Sequence, residues 1–328
     1  MKNSFMGWAF LIILLLVTGC QDRKSLKEVV PVDISEVTNV TETSTSSNIT
    51  EKITEETIAP NEPLNLSILD YPKVDGSTAT IPLSLSTFMT LTGASQEVAE
   101  GTIMHTKTAN AYTRLIAGEV DLLIVYEAPD SIKETLKTSP VKLNIAPIGK
   151  DALVFITNEQ NPVSTINETN LVGIYSGKVT NWQVLGGEDK EIIAFQRPDD
   201  SGSQTLMKGL VMKEVPFMDA PSFLKPQMMG ELIDVLAEYD NTGNALGYSV
   251  YYYAKNMYEQ PNLKFLAVND ILPTNETIQE GSYPYIKEFY AVIREGESTD
   301  SSAFKVFEWL QSDTGQQLVT ENGYVSID

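Results

Sequence analysis

The sequence predicts an α/β protein with two domains, and each part of that prediction rests on one observation. From Leu64 onward, strand-like apolar runs alternate with helix-like runs, a pattern typical of α/β architecture with mostly parallel sheets. The ~265 residues from Leu64 to the C-terminus are also close to the length at which a single hydrophobic core stops growing. We therefore expect two domains rather than one in this part of the 328-residue chain.

The predicted strands are short runs of apolar and β-branched residues bounded by turn-forming residues. They comprise Leu64–Leu69, Val120–Tyr126, Leu143–Ile148, Ala152–Thr157 and Glu191–Phe195. The predicted helices repeat their apolar residues at helical spacing. They comprise Leu83–Leu91, Asn110–Ala117, Gln204–Met212, Gly230–Tyr239 and Ser302–Leu310.

The N-terminus has the composition of a secretory signal. Lys2 is followed by a nearly unbroken apolar run over Phe5–Val17, which is too short for an ordinary membrane-spanning helix. The sequence VTGC then resembles a bacterial lipobox, in which the signal is cut before the cysteine and that cysteine receives lipid. We predict a signal peptide over residues 1–19 and a lipidated Cys20 on the extracytoplasmic face of the cell membrane. The alternative is a plain signal peptide followed by an unmodified cysteine.

Cys20 is the only cysteine in the sequence, so no disulfide can form within the chain. The residues after it, up to residue 63, are rich in Ser and Thr, contain no aromatic residue and carry more acids than bases. Such a segment cannot bury enough apolar surface to offset the entropy lost on ordering. Residues 20–63 are therefore predicted to be the lipidated cysteine and a flexible stalk.

Charge and composition exclude several classes of function. The 44 Asp and Glu against 23 Lys and Arg give a formal net charge of −21, whereas duplex nucleic acid requires a basic face. One histidine, His105, and one cysteine rule out a His/Cys metal cluster. A Ser-His-Asp hydrolase would have to use His105, and Ser201 does not lie in a Gly-x-Ser-x-Gly sequence. We expect no enzyme, no metal, no cofactor and no nucleic-acid partner, and we expect His105 to be solvated.

The sequence RPDDSGSQT combines an arginine, Arg197, with small donor residues at a predicted helix start. Ser201 is a good N-cap, and Gly202 permits close backbone approach to a ligand. A helix start also exposes unpaired N–H groups at the positive end of its dipole, where Arg197 could add a two-pronged contact to an oxyanion. Taken alone, the motif is better explained by an ordinary capped helix beside a surface arginine, because serine caps are common.

Two further segments have the same character. Gly76, Ser77 and Thr78 lie just before a predicted helix, where small hydroxyl residues meet free N–H groups. Thr108 precedes another predicted helix, and Glu127 follows a predicted strand, where its carboxylate could accept a proton-bearing ligand oxygen. Each segment alone also fits an ordinary turn or a solvated glutamate.

Taken together and in this order, the segments resemble the periplasmic-type phosphate-binding proteins of ABC importers, in the type II periplasmic-binding-protein family. The most specific parts are YSGKVTNW and the Arg-x-x-x-Ser-Gly-Ser spacing, supported by GSTATIPL, AGEVDLLIVYEAPD and NALGYSVYYY. The resemblance runs from Leu64 to the C-terminus and is nearest to the Gram-positive lipoprotein branch. It implies a two-lobed fold with a ligand cleft between the lobes. Lobe I would comprise residues 64–146 plus 284–328, and lobe II residues 147–283.

The resemblance also implies that ligand-binding residues come from both lobes. They are Gly76, Ser77, Thr78, Thr108, Glu127, Arg197, Ser201, Gly202 and Ser203. Ser203 replaces a family threonine, and the turn at Thr108 lacks the family's glycines. Glu127 stands where the family has an aspartate that accepts the proton of a phosphate hydroxyl. Glu127 would then disfavour fully ionised sulfate, which carries no proton to donate.

The function implied by this resemblance is that of an extracytoplasmic solute receptor. It would capture inorganic phosphate, or a similar tetrahedral oxyanion, between two closing lobes and deliver it to an ABC permease. Its partners would be the oxyanion, the permease subunits and, through the lipid anchor, the membrane, and we expect a monomer. The alternative is a surface interaction or signalling lipoprotein that kept the fold and lost transport. Oxyanion binding discriminates between the two.

Overall fold

The computed structural model describes residues 64–238 and 243–327 of the chain. The predicted signal peptide, Cys20 and the predicted stalk lie outside the described residues. None of the helices in those two ranges combines the length and the apolar character needed to cross a membrane.

Strands and helices alternate along the described residues. The strands are β1 (Val74–Gly76), β2 (Leu122–Val125), β3 (Leu143–Asn158), β4 (Thr165–Ile166), β5 (Ile193–Ala194), β6 (Ala245–Val250), β7 (Leu263–Phe265), β8 (Ala267–Val268) and β9 (Ile286–Arg294). The α-helices are α1 (Ile81–Thr92), α2 (Gln96–Thr102), α3 (Thr108–Ile116), α4 (Asp130–Thr138), α5 (Glu168–Tyr175), α6 (Gly202–Leu206), α7 (Met229–Glu238), α8 (Asn275–Gln279), α9 (Ser302–Gln311) and α10 (Asp313–Glu321). Other helical turns are the 3₁₀ segments Thr78–Thr80, Trp182–Leu185 and Ser222–Leu224 and the π segments Met207–Met212 and Tyr253–Met257.

Most strands join a single sheet in the order β1-β2-β9-β3-β6-β5, with β7 also paired to β3, while β4 pairs with β8 apart from it. β1 and β2 run parallel, as do β5 and β6. The central strands β3 and β9, in contrast, are antiparallel to every strand they contact. The predicted α/β class is confirmed, but the expectation of mostly parallel sheets is wrong, because these two strands occupy the centre.

β3 merges two strands that the sequence predicts separately. It is 16 residues long and pairs with β9 up to Ala152 and with β6 from Leu153 onward. Pro147 and Gly149, which look like a break in the sequence, form a register shift within the strand instead. One strand therefore belongs to both parts of the sheet, and its partner changes between Ala152 and Leu153.

The other predicted elements agree with the structure except at the N-terminal end. Four of the predicted helices correspond to α1, α3, α7 and α9, and the fifth corresponds to α6 and the π segment that continues it. The predicted strand at Leu64 is wrong. These residues form turns, in which Asp70 N donates to Ser67 O at 3.1 Å, so the chain enters the fold without joining the sheet.

Two apolar clusters fill the interior of the described residues. The larger one extends from Tyr71 to Val325 and packs helices from both ends of the chain against the sheet. The smaller one joins α3, α4, β2 and β9 around Tyr112 and Leu115. Because β2 and β9 contribute to both clusters, the loops that follow β1 and β2 are held rigidly at the edge of the core.

Gly76 at the end of β1 gives a direct test of this packing. A methyl group there would lie 2.3 Å from the carbonyl oxygen of Ile124 in β2, so Gly76→Ala must separate the two strands. We expect a loss of roughly 1–3 kcal/mol in the free energy of unfolding, measured by urea denaturation. Gly101→Ala is the matched control, since a methyl group in that position of α2 meets nothing within 4 Å. An equally small change in both variants would contradict the close approach of β1 and β2.

Candidate functional site

A small cavity lies where the loop after β1, the start of α3, the end of β2 and the start of α6 meet. Its volume is about 40 Å³, whereas a single water needs ~10–15 Å³. The predicted site residues on its walls are Ser77, Thr78, Thr108, Arg197, Ser201, Gly202 and Ser203. The walls also include residues that the sequence did not single out: Ala79, Lys107, Tyr126, Asp200, Gln227, Met228, Met229 and Val250.

The Arg197 side chain supplies a buried positive charge to this cavity. The residue is 4% exposed, and its Nη2 donates to the carbonyl oxygen of Gln227 at 3.3 Å. Its Nε and Nη1 are buried and have no hydrogen-bond partner among the described residues. Burial lowers the pKa of Arg197 from its usual value, yet a guanidinium stays protonated at neutral pH. Buried cationic donors without acceptors cost free energy, and an oxyanion in the cavity would remove that cost.

The backbone of Arg197 is fixed by a buried hydroxyl. Arg197 follows β5 closely, and its N–H donates to Tyr248 Oη of β6 at 3.1 Å. Tyr248 in turn donates to Gln204 Oε1 in α6. Burial raises the pKa of Tyr248, so the phenol stays protonated and available as a donor. This connection of β5, β6 and α6 fixes the guanidinium relative to the helix start.

The start of α6 has the predicted form. Ser201 is the N-cap, and its Oγ accepts the N–H of Gln204 at 3.1 Å. The N–H groups of Gly202 and Ser203 belong to the first turn, whose donors have no acceptor within the helix. Helical turns continue from α6 through the π segment to Met212, so the positive end of a longer helix faces the cavity.

Gly202 brings the α6 wall of the cavity against the α3 wall. A methyl group at Gly202 would lie 3.0 Å from Thr108 Oγ1 and 3.7 Å from Tyr126 Cβ. Thr108 Oγ1 and Ser77 Oγ are hydrogen-bonded at 2.9 Å, and Ser77 Oγ also accepts the N–H of Tyr126 at 3.1 Å. The walls are therefore in contact, and small hydroxyls from separate segments converge on one space.

Lys107 occupies the turn just before α3. Its φ of 73° lies in the left-handed region, where a residue with a side chain is strained. Thr106 donates from its N and its Oγ1 to the buried carboxylate of Asp75 at 2.8 and 2.7 Å. Arg114 pairs with the same carboxylate at 2.5 Å. These contacts hold the turn in place, so that α3 begins at Thr108 with Lys107 on the cavity wall.

The two aspartates of RPDDSGS have different surroundings. Asp199 Oδ1 pairs with Lys208 Nζ at 2.8 Å, and the Asp199 side chain is 83% exposed. Asp200 lies on the cavity wall and favours the charged form of Arg197. Asp200 is therefore the aspartate whose negative charge acts at the cavity and on Arg197, while Asp199 is paired with Lys208.

Gly76 and Glu127 are predicted site residues that the structure does not place on the cavity wall. Gly76 serves the approach of β1 to β2. Glu127 Oε1 accepts from Lys133 Nζ at 2.6 Å, and Glu127 Oε2 lies 3.1 Å from Lys287 Nζ. Partial burial raises the pKa of Glu127, but the hydrogen bonds from both lysines outweigh it and hold the pKa below its usual value. The structure therefore places the Glu127 carboxylate with two lysines and off the cavity wall.

The expectation for His105 is corrected, since the structure does not leave it solvated. Its Nε2 is buried and has no hydrogen-bond partner among the described residues. Burial lowers the pKa of His105 to about 4, against the opposing charge of Asp75, so the ring is neutral at pH 7. Across the described ranges, no group of three or more His, Cys, Asp or Glu side chains could hold a metal ion.

Solved structures share the architecture of this chain. The chain is similar to a Clostridium perfringens protein solved with bound phosphate, with a TM-score of 0.61 and 20% identity over 78% of this chain and 99% of that one. It is similar to an ABC-type phosphate transport receptor from Vibrio cholerae, with a TM-score of 0.57 and 21% identity over 77% of this chain and 98% of that one. At these identities the likeness concerns the fold, and it confirms the predicted two-lobed, periplasmic-binding-protein-like α/β fold with a cleft between the lobes.

A family model described as a PBP superfamily domain matches residues 34–314, and the chain belongs to that family. Among curated proteins, the chain is 33% identical over 184 residues to the phosphate-binding protein PstS of Borreliella burgdorferi, which covers 54% of this chain and 63% of that protein. It is 26% identical over 184 residues to PstS of Bacillus subtilis, covering 56% of each. The matched part thus spans less than two thirds of the length of these relatives.

From the position of Glu127 off the cavity wall, we predict that this residue does not set the selectivity for the ligand. Glu127→Gln should leave the ratio of phosphate to sulfate affinity unchanged, since both lysine partners lie off the cavity wall. We expect its effect on the free energy of unfolding to stay within ~1 kcal/mol, because the ion pairs are partly exposed. Asp200→Asn is the matched control on the wall and should change the ratio. Titration calorimetry measures the affinity ratio of each variant, and urea denaturation measures the free energy of unfolding. An altered ratio in Glu127→Gln with none in Asp200→Asn would contradict this assignment.

Proposed function

We propose that this chain is an extracytoplasmic solute receptor that captures inorganic phosphate, or a similar tetrahedral oxyanion, between two lobes and delivers it to an ABC permease. One observation carries the proposal: the buried Arg197 guanidinium lines a small cavity with Nε and Nη1 lacking partners among the described residues. The names of the curated relatives, phosphate-binding protein PstS, support phosphate as the ligand.

The ligand-binding residues we propose are those on the cavity wall. Arg197 supplies the buried positive charge, and the start of α6 at Ser201–Ser203 supplies backbone N–H groups and hydroxyls. Ser77, Thr78 and Thr108 supply hydroxyls from the opposite wall. Inside a closed cavity these hydrogen bonds replace the water shell of the anion, and their strength rises as water is excluded. A volume of about 40 Å³ suits a small inorganic anion rather than a large organic one.

We also propose the lobe boundaries that the sequence suggests, residues 64–146 plus 284–328 and residues 147–283. The change of partner along β3, from β9 to β6, supports a junction in this part of the chain, although it falls slightly later, at Ala152–Leu153. A strand shared by both lobes would let them rotate while the sheet stays continuous. Such a rotation would admit and release the anion.

For selectivity we assign to Asp200 the part that the sequence suggested for Glu127. Asp200 is the carboxylate among the described wall residues, and an ionised carboxylate accepts hydrogen bonds but donates none. An oxyanion that keeps a proton can donate to it, whereas fully ionised sulfate would be repelled. No feature of the described residues favours the alternative of a surface signalling protein that lost ligand binding.

We further propose that the N-terminal segment anchors the receptor to the membrane beside its permease. The N-terminal sequence VTGC supports cleavage before Cys20 and attachment of lipid there, in a bacterium of Gram-positive type. A stalk over residues 20–63 would then tether the receptor near its permease and raise its local concentration there. We propose that the receptor acts as a monomer, with transport energy supplied by a separate ATPase.

Substitution of Arg197 tests the proposal directly. Arg197→Ala should weaken phosphate binding by ~100-fold or more, because a desolvated charge-assisted contact is lost. The melting temperature of the ligand-free variant should not fall, since the buried guanidinium lacks acceptors for Nε and Nη1. Titration calorimetry and thermal unfolding provide the two measurements.

Arg294→Ala is the control for this substitution, because Arg294 donates to Val120 O and Asp121 away from the cavity. It should lose stability and keep phosphate affinity. Failure of the wild-type protein to bind phosphate, arsenate or sulfate would refute the receptor function. Unchanged phosphate affinity in Arg197→Ala would remove Arg197 from the site.

A further inference from the structure

A second buried charge lies behind the cavity wall, in the middle of β3. Asp151 is 1% exposed. Its Oδ2 accepts a hydrogen bond from Tyr126 Oη at 2.5 Å. Its Oδ1 accepts from the N–H groups of Ala152 at 2.7 Å and Tyr252 at 3.1 Å. Donors from β2, β3 and the segment after β6 therefore meet at one carboxylate.

Two of the three donors connect this carboxylate to separate segments of the cavity wall. Tyr126 lines the cavity at the end of β2, where its N–H also donates to Ser77 Oγ. Tyr252 follows Val250, which lines the cavity at the end of β6. Asp151 itself stands next to the point where β3 exchanges β9 for β6 as its partner. A shift of Asp151 would thus move both walls relative to each other.

We propose that Asp151 is a positioning residue for the ligand cavity, which holds Tyr126 and the Val250–Tyr252 segment in the arrangement that binds the oxyanion. The proposal rests on the proposed function for its ligand. Asp151 does not line the cavity, and it acts through the hydroxyl of Tyr126 and the backbone of Tyr252. Its contribution is to bring the walls to the correct separation before the ligand arrives.

The ionised carboxylate is costly to keep in this position. Burial raises the pKa of Asp151 to about 6, against the lowering effect of its hydrogen bonds. The titratable groups around it are the phenols of Tyr126, Tyr251, Tyr252 and Tyr324 and, opposite it in β9, Lys287. The Lys287 ammonium pairs with Glu127 instead, and the groups that lower the pKa of Asp151 are its hydrogen-bond donors.

The raised pKa fixes the sign of the effect on stability. The folded protein binds a proton at Asp151 more readily than the unfolded chain, whose carboxyl has its usual pKa of 3.8. Stability from this group is therefore fully present below pH 3.8 and is lost as the pH rises through about 6. At neutral pH the ionised side chain destabilises the fold, and a neutral isostere at this position would relieve that cost.

Asp151→Asn separates a positioning role from a structural one. The amide oxygen can still accept from Ala152 and Tyr252, but the charged acceptor for Tyr126 is lost. We expect a higher melting temperature at pH 7 together with a roughly tenfold weaker affinity for phosphate. In the wild-type protein the affinity should fall as the pH is lowered through 6, and in Asp151→Asn this extra dependence should disappear. Titration calorimetry from pH 5 to 8 and thermal unfolding give both results.

Tyr126→Phe tests the same contact from the other side. It removes the hydroxyl that donates to Asp151 and should weaken phosphate binding to a similar extent. Tyr283→Phe is its matched control, since the buried Tyr283 hydroxyl donates to Leu153 O away from the cavity wall. That variant should keep the wild-type affinity. Wild-type affinity and an unaltered pH profile in both Asp151→Asn and Tyr126→Phe would overturn the proposal.

A measurement without ligand distinguishes failure of the positioning role from failure of the proposed receptor function. Amide hydrogen exchange at pH 7 reports on the N–H groups of Tyr126 and Tyr252 without any anion. In Asp151→Asn we expect faster exchange at the Tyr126 amide despite the higher melting temperature, because the phenol loses its charged acceptor, whereas the Tyr252 amide keeps an acceptor and should exchange as before. Unchanged exchange at the Tyr126 amide would overturn the positioning role even if the wild-type protein bound no oxyanion. Absence of oxyanion binding with faster exchange would refute the receptor function and retain the coupling of the two walls.

Discussion

The buried Arg197 guanidinium is the constraint on which the rest of the cavity depends. The residue is buried, and its Nε and Nη1 have no hydrogen-bond partner among the described residues. A charge in this condition is tolerated when it is fixed in place and when a ligand of opposite charge can reach it. Tyr248 fixes its backbone, and the capped start of α6 adds donors beside it. The closed walls around it therefore have a shape and a polarity suited to a small oxyanion.

At more than one position near this cavity, a residue adopts a conformation or a charge state that costs free energy. Lys107 keeps a left-handed backbone conformation on the wall, and Asp151 is a buried carboxylate that accepts from one phenol and two backbone N–H groups. Asp75, also buried, is better compensated by Arg114 and the two donors of Thr106. The strained backbone of Lys107 and the unpaired donors of Arg197 thus both lie at the proposed binding site, while the core around it is closely packed. This distribution is expected of a binding site that is arranged before its ligand arrives.

Local sequence patterns predicted the capped start of α6, because Arg197 and the Ser-Gly-Ser turn lie within a few residues of one another. Capping rules alone favoured an ordinary helix start, and the proposal of a binding site at Arg197 came from the resemblance of the ordered segments. The sequence could not place Glu127, because Tyr126 and Glu127 follow the end of β2 and contacts with distant segments decide where each side chain lies. Tyr126 lines the cavity, whereas Glu127 pairs with Lys133 and Lys287. The role of Asp151 depends on contacts between distant segments, for which a local pattern carries no signal. The antiparallel centre of the sheet was missed for the same reason.

A crystal structure of the protein grown with inorganic phosphate tests the central claim most directly. The account predicts tetrahedral density inside the cavity, with oxygens within ~3 Å of Arg197 Nε and Nη1 and of the first N–H groups of α6. It also predicts that the Asp151–Tyr126 contact is kept in the occupied cavity. A guanidinium paired with a protein carboxylate instead, with no anion present at saturating phosphate, would contradict the account.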